Sequence, residues 1–354
     1  MTNQFANFFL GANSPDGFYS LFSDSYSARE GWRAYIIKGG PGTGKSTLMK
    51  KIADSAAKKG ERVQRAFCSS DPQSLDAVIM PDSKTAIYDG TAPHVMEPGL
   101  PGACEVIVNL GKAFDNNWLH RRTDELIRLS ESCSACHAGA VRFLRCAASF
   151  NENTSLIAAK AISREKVDRR AKALFDRYVQ TGGEGNESVR LLSAVTMNGI
   201  TFFENTIANL CDTVIPIDDK YGCVSDALLG SIRALLIKSR CEFISCRCSQ
   251  SRRLEHIIVP ESRVAFTTCG AFHGGKSDTR LMHARRFMDT SVIDENSKRF
   301  SYNKRAASEF FDLASQEMRR AKAIHDKLEE IYSSAVDFSV VDEICENLKN
   351  EMSL

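Results

Sequence analysis

Residues 39–46 read Gly-Gly-Pro-Gly-Thr-Gly-Lys-Ser. They stand between a short apolar run, Arg33 to Lys38, and a stretch from Lys45 to Lys59 with Leu48, Ile52 and Ala56 at helical spacing. This arrangement asks for a strand that turns sharply into a helix. Glycines let the turning backbone aim successive N–H groups at one point, where an anion fits. The pattern matches G-x-x-x-x-G-K-[ST], the phosphate-binding loop, and the helix N-terminus behind it favours negative charge. The expected contact residues are Gly39, Gly40, Pro41, Gly42, Thr43, Gly44, Lys45, Ser46 and Thr47. Lys45 would reach the β- and γ-phosphates of ATP, and the Ser46 hydroxyl would bind Mg²⁺. Lys58, Lys59 and Gly60 supply a helix end.

A nucleotide site of this kind also needs a carboxylate at the end of a buried strand. Lys84-Thr85-Ala86-Ile87-Tyr88-Asp89 provides one, and Gly90 then breaks the strand. Asp89 is therefore expected across the Mg²⁺ from Ser46, in the Walker B role. Asp71 and Asp76 follow the next strand, Arg62 to Cys68. In P-loop kinases an acid there can activate an acceptor hydroxyl. Asp71-Pro72 also opens turns, and Asp76 suits a cap.

With 354 residues the chain is expected to hold two domains. It is 43% hydrophobic and 25% charged, an ordinary globular composition, and its net charge of +2 gives no push toward nucleic acid. No apolar stretch approaches a membrane span. The N-terminal residues show no secretory pattern. Twelve cysteines in that context suggest reduced thiols and a cytoplasmic location.

The second half repeats the first. Ser74 to His94 aligns without a gap on Arg253 to His273, with identities at Leu75/Leu254, Ile79/Ile258, Pro81/Pro260, Ser83/Ser262, Ala86/Ala265, Ala92/Ala271 and His94/His273. Upstream, Leu10 to Phe18 resembles Leu192 to Ile200. Downstream, Glu125 to Leu129 lines up with Glu309 to Leu313. The glycine-rich segment 181–186 is the expected linker between a domain at 1–180 and one at 187–354. In the second copy the loop reads Ile217 to Ser225. Gly222 survives, Cys223 takes the lysine position, Val224 the Mg²⁺-ligand position, and Thr268 replaces Asp89. Asp218 and Asp219 put negative charge where phosphates would sit. The second copy reads as a pseudo-domain with a regulatory or structural part, or as a changed ligand site.

The motifs Gly39–Ser46, Cys68-Ser69-Ser70-Asp71-Pro72-Gln73-Ser74-Leu75-Asp76 and Asp89-Gly90-Thr91-Ala92-Pro93-His94, with the repeated second half, resemble the bacterial tandem P-loop ATPases. The resemblance covers nearly the whole chain. It implies ATP binding and hydrolysis and names no substrate. That family's second half often keeps a phosphate loop, which this chain does not. The fold expected is α/β: a P-loop NTPase-type three-layer core, duplicated, each copy followed by long helices.

Four further features have competing readings. His94 can sense the γ-phosphate or serve a buried hydrogen bond. Cys133-Ser134-Ala135-Cys136-His137 matches a haem-attachment pattern but lies in a helical run. A zinc site with Cys146 is conceivable, and no second C-x-x-C supports it. Cys246 and Cys248 read as buried thiols. The basic residues between 112 and 177, among them Arg121, Arg122, Arg142, Arg145, Arg164, Arg169 and Arg170, can offer a finger over the nucleotide or form a solvated face. ATP is favoured over GTP because Asn303-Lys304-Arg305-Ala306 breaks the guanine-reading N-K-x-D pattern at its last position. Three activities stay open: an Mg²⁺-dependent ATPase using Lys45 and Asp89, a small-molecule or nucleotide kinase with Asp71 as base, and a non-enzymatic ATP switch acting on a protein partner. Glu97 is the nearest acid after Asp89 on the C-terminal side.

Overall fold

The computed structural model describes residues 5–269 and 281–354. The aligned pairs ending in Ala271 and His273 lie outside the described residues. In chain order the first half holds β1 (Phe5–Phe8), β2 (Gly11–Ser14), β3 (Gly17–Ser20), β4 (Arg33–Lys38), α1 (Lys45–Lys58), β5 (Val63–Phe67), β6 (Leu75–Met80), β7 (Thr85–Asp89), β8 (Glu105–Asn109), α2 (Asn116–His120), α3 (Thr123–Ala159) and α4 (Arg164–Tyr178). The second half holds β9 (Glu187–Arg190), β10 (Ser193–Thr196), β11 (Gly199–Phe202), α5 (Glu204–Leu210), β12 (Thr213–Asp218), α6 (Cys223–Lys238), β13 (Phe243–Arg247), β14 (Leu254–Val259), β15 (Val264–Cys269), β16 (Met282–His283), α7 (Thr290–Glu295), α8 (Ser297–Ser333) and α9 (Phe338–Glu351).

The two halves form two sheets of matching order, β1-β5-β6-β7-β4-β8 and β9-β13-β14-β15-β12-β16. In each, one inner strand, β6 or β14, runs antiparallel to its neighbours and the other pairings are parallel. Even the irregularities repeat. The ladder shifts register at Ala66/Phe67 and at Cys246/Arg247. Lys84 and Arg263 take left-handed φ values of 49° and 48° in equivalent turns.

Strand alternation assigns the faces. Tyr35 and Ile37 of β4 point to α1, against Leu48, Met49 and Ile52. Ala34 and Ile36 point the other way, against Phe9, Leu10, Leu21 and Phe22 and against Leu191 and Ala194 of the second half. That second face therefore carries the segment around the β2–β3 hairpin where a three-layer core would carry helices. Residues 11–22 reach it first because the hairpin follows β1 directly.

The segment 181–186 separates the sheets but not the helices. Val167, Ala171, Leu174 and Phe175 of α4 are buried with Val224, Leu228 and Ile232 of α6, in the second half. Val341, Cys345 and Leu348 of α9 are buried with Leu48 and Met49 of α1, in the first. Each half thus lends its last helix to the other. Between them α3 and α8 run antiparallel, with Cys133 near Ala321, Gly139 near Glu317 and Asn153 bonded to Asn303.

Reciprocal backbone bonds fix the register of this helical repeat. The Asp115 N–H donates to the Ala335 carbonyl and the Asp289 N–H to the Ala161 carbonyl; Asp337 N–H donates to Ala113 and Ser163 N–H to Phe287, all at 2.8 Å. Asp115 is therefore the counterpart of Asp289, and Ala161 of Ala335. On this register Glu125 matches Arg299, not Glu309, and Cys133 matches Ala307, not Glu317. The sequence alignment of these helices was displaced by about three turns, a slip that an apolar stripe of helical period tolerates.

Candidate functional site

The glycine loop lies where the strand order puts β4 and β7 side by side, with Ile37 paired to Asp89. Gly42 and Gly44 have φ of 66° and 82°, left-handed values that let the loop wind back onto the first turn of α1. Gly44 is the N-cap of α1. Lys45 leads the helix, and its ammonium donates to the carbonyls of Gly39 at 3.1 Å and Gly40 at 2.7 Å. The same ammonium lies 3.6 Å from Asp89 Oδ2. Asp89 Oδ1 accepts from the Thr91 N–H at 3.0 Å and the Thr91 hydroxyl at 2.5 Å. The Thr43 hydroxyl donates to Gly40 O at 2.9 Å, bracing the loop internally. Ser46 Oγ accepts from the Leu75 N–H at 2.9 Å, which ties the start of β6 to the helix N-terminus. The structure therefore brings together Lys45, Ser46 and Asp89.

Asp71 is close by but engaged. Its carboxylate accepts from the Gln73 N–H at 3.1 Å and the Ser74 hydroxyl at 3.0 Å, and lies 3.5 Å from the Lys322 ammonium. Asp76 is not a cap. It is the second residue of β6, is buried, and faces His94, with Oδ1 3.5 Å from the ring Nε2. His94 is also buried and stacks on Phe22, ring centroids 4.9 Å apart. Glu97 pairs with Lys38 at 2.7 Å on an exposed surface, while Lys38 also donates to the carbonyls of Gly90 and Met96.

The His94–Asp76 pair carries a pH dependence. Burial alone lowers the imidazole pKa, but the Asp76 carboxylate outweighs it, with Asp89 assisting and Lys45 opposing, so the folded value is raised above the ordinary one. A raised folded pKa means the protonated ring favours the folded state. This contribution is whole below the ordinary imidazole pKa of about 6.5 and disappears as pH rises through the folded value. Comparing the parent with His94→Gln by urea unfolding, the parent's advantage should be larger on the acidic side of that window than on the alkaline side. An advantage that stays constant with pH rules the pair out as its source.

Four of the seven arginines that could offer a finger or a solvated face are engaged away from the loop. Arg122 lies over Trp118, Arg145 donates to Pro15 O, Arg169 pairs with Glu165, and Arg170 contacts Met282. Cys133 turns to α8, its thiol 3.6 Å from the Ala321 carbonyl oxygen, inside an unbroken helix. Cys246 is buried on β13, and burial pushes the Cys248 thiol up to about 12.

What covers the loop comes from α8, which sequence reasoning missed. A Cβ on Gly42 would meet the Glu329 carbonyl oxygen at 2.5 Å, and one on Gly40 would meet the Tyr332 ring at 2.8 Å. Lys322, His325 and Glu329 sit on this stretch, with His325 Nδ1 3.6 Å from Glu329 Oε1. Burial lowers the His325 pKa, and Lys322 and Lys45 push the same way against Glu329. The repeat itself was the available signal: a copied helix can close its partner's loop.

In the second copy the corresponding loop is two residues shorter, 219–222 against 39–44. Gly222 keeps the left-handed N-cap with φ 71°. Asp219 is buried and fills the space at the helix start. Its carboxylate accepts from the Tyr221 N–H at 3.0 Å and from the Ser225 N–H and hydroxyl at 2.8 and 3.0 Å. Donors that would meet a phosphate are taken by the chain's own anion. A cavity of about 380 Å³ lies beside it, lined in part by Asp219, Arg253, Glu255 and Thr268.

Comparison with known proteins finds no matching family model, no matching curated protein and no matching solved structure. No helix among the described residues is long and apolar enough to cross a membrane.

Proposed function

We propose that the first half binds ATP with Mg²⁺ through Gly39–Thr47 and hydrolyses it, in a P-loop NTPase-type core. The observation that carries this reading is the left-handed glycine loop at the start of α1, with the Lys45 ammonium 3.6 Å from Asp89 at the end of the neighbouring strand. Backbone N–H groups and Lys45 would hold the phosphates. The Ser46 hydroxyl and the Asp89 carboxylate are oxygen donors, the type Mg²⁺ selects, and both flank the loop. When bound, that ion would neutralise charge building up on the phosphates.

Asn303 supports the preference for ATP in a negative sense. It is buried in α8 and donates to Asn153 and Thr154, so it is not placed to read a guanine. The kinase reading loses support, because the Asp71 carboxylate is occupied by a lysine and two turn donors. Asp219 supports a second half without a nucleotide site of its own.

Isothermal calorimetry on the whole chain with ATP and Mg²⁺ tests the proposal. One saturable site per chain is expected, with slow phosphate release in the same buffer. Two sites would contradict the plugged second loop. Binding of one ATP without phosphate release would leave the switch as the function.

A further inference from the structure

We propose that the second half completes the nucleotide site in cis, with Lys322 of α8 as the cation that meets the terminal phosphate. This rests on the ATP-binding reading above and adds to it a residue from the half that has lost its own loop.

Lys322 is half-buried on the α8 stretch that lies over the glycine loop, 3.5 Å from Asp71 and paired also with Asp326. Burial alone would lower its pKa, but Asp326 and Asp71 hold it above the ordinary value, so it is fully charged at neutral pH. Both lysines at this site rest on a carboxylate at nearly the same separation, Lys45 on Asp89 at 3.6 Å and Lys322 on Asp71 at 3.5 Å. A phosphate with more charge than a single carboxylate competes well for such ammonium groups.

The comparison between halves singles out Lys322. By the reciprocal register, the α3 residues that cover the second loop correspond to those of α8 that cover the first. Ser155 donates to the Tyr221 carbonyl in the plugged loop, where Glu329 stands over Gly42. The counterpart of Lys322 is Ala148, and that of His325 is Asn151, both beside the second cavity. The facing loop also loses its acid, since residues 249–252 read Ser-Gln-Ser-Arg where 69–73 read Ser-Ser-Asp-Pro-Gln. Lys322 and Asp71 are thus present together over the intact loop and their counterparts missing together over the plugged one, where Arg253 bonds Ser155 instead and lies 3.7 Å from where a Cβ on Gly222 would stand. In P-loop enzymes a cation supplied from outside the core stabilises charge on the transferring phosphate.

The test compares a non-hydrolysable ATP analogue with ADP, each with Mg²⁺, by calorimetry on full-length protein. Lys322→Ala should weaken the triphosphate analogue by about tenfold and leave ADP within about twofold, since only the former carries the terminal phosphate. Lys322→Arg should restore most of the loss, which also guards against misfolding. Asp71→Asn should keep triphosphate affinity, since it frees the lysine. Unchanged analogue binding in Lys322→Ala overturns the proposal. So does a parallel loss of ADP, or an equal loss in Asp71→Asn, because either makes the pair a structural bridge. Parent protein that binds neither nucleotide refutes the underlying ATP reading instead.

Discussion

Lys45→Ala is expected to weaken ATP binding about a hundredfold while the fold survives. The Lys45 ammonium touches both sides of the site, the loop carbonyls of Gly39 and Gly40 and the Asp89 carboxylate. Its removal has two consequences of the same sign. A charge-assisted contact to the phosphates is lost, and Asp89 keeps its negative charge without the nearby cation, so it repels an incoming anion. Together these should cost ~3 kcal/mol, about a hundredfold in affinity. Asp89 retains both bonds from Thr91, so its strand end stays ordered. Calorimetry with ATP and Mg²⁺, beside a circular dichroism melt, checks both halves of the expectation. Parent-like affinity in this variant would remove the glycine loop from the function.

The parts of this site that were legible in sequence are those whose physics is local. A loop that must turn a strand into a helix needs glycine at Gly42 and Gly44, and that need shows in the letters. Asp89 was legible because an acid ending an apolar run is costly without a partner. The loss at Cys223, Val224 and Thr268 could be read by alignment. The plug could be read only in part: two acids stood in the loop, but which one turned inward depended on the shortened backbone. Asp219 is buried, whereas Asp218 pairs with His283 at a more exposed position.

The parts that stayed hidden are those in which one helix chooses among partners. An amphipathic pattern states that Val341, Cys345 and Leu348 need an apolar surface, not whose surface. The α1 and α6 faces are equivalent copies, so either satisfies the pattern. The chain takes the crossed choice because α3 and α8 are long and antiparallel, and each carries the following helix to the far end of the pair. The cover over the glycine loop follows from the same geometry. Lys322 has no motif around it, and its place beside Asp71 appears only when α8 is laid across the first half. Asp76 was misread for a related reason: its partner His94 is distant in sequence, and a buried acid with a remote partner looks like a cap.

The crossed packing leads to an expectation opposite to that of two separable domains. Deleting residues 337–354 should destabilise the first half more than the second. The deletion removes α9, whose Val341, Cys345 and Leu348 are buried against Leu48 and Met49 of α1 and belong to the core that holds Tyr35 and Ile37 of β4. Fully burying an aliphatic side chain contributes about 1.5–3 kcal/mol, so the loss is on the order of 5 kcal/mol. That is comparable with the whole stability of a typical domain, about 5–15 kcal/mol. The chain supplies its own reporter, because both tryptophans, Trp32 and Trp118, belong to the first half. Urea unfolding followed by tryptophan emission should therefore show a much lower midpoint in the truncated chain, with ATP binding lost alongside it. If the boundary at 181–186 divided independent domains, truncation at the far C-terminus would leave the tryptophan transition where it was. An unmoved transition would mean that α9 is a dispensable cover and that α1 keeps its place without it.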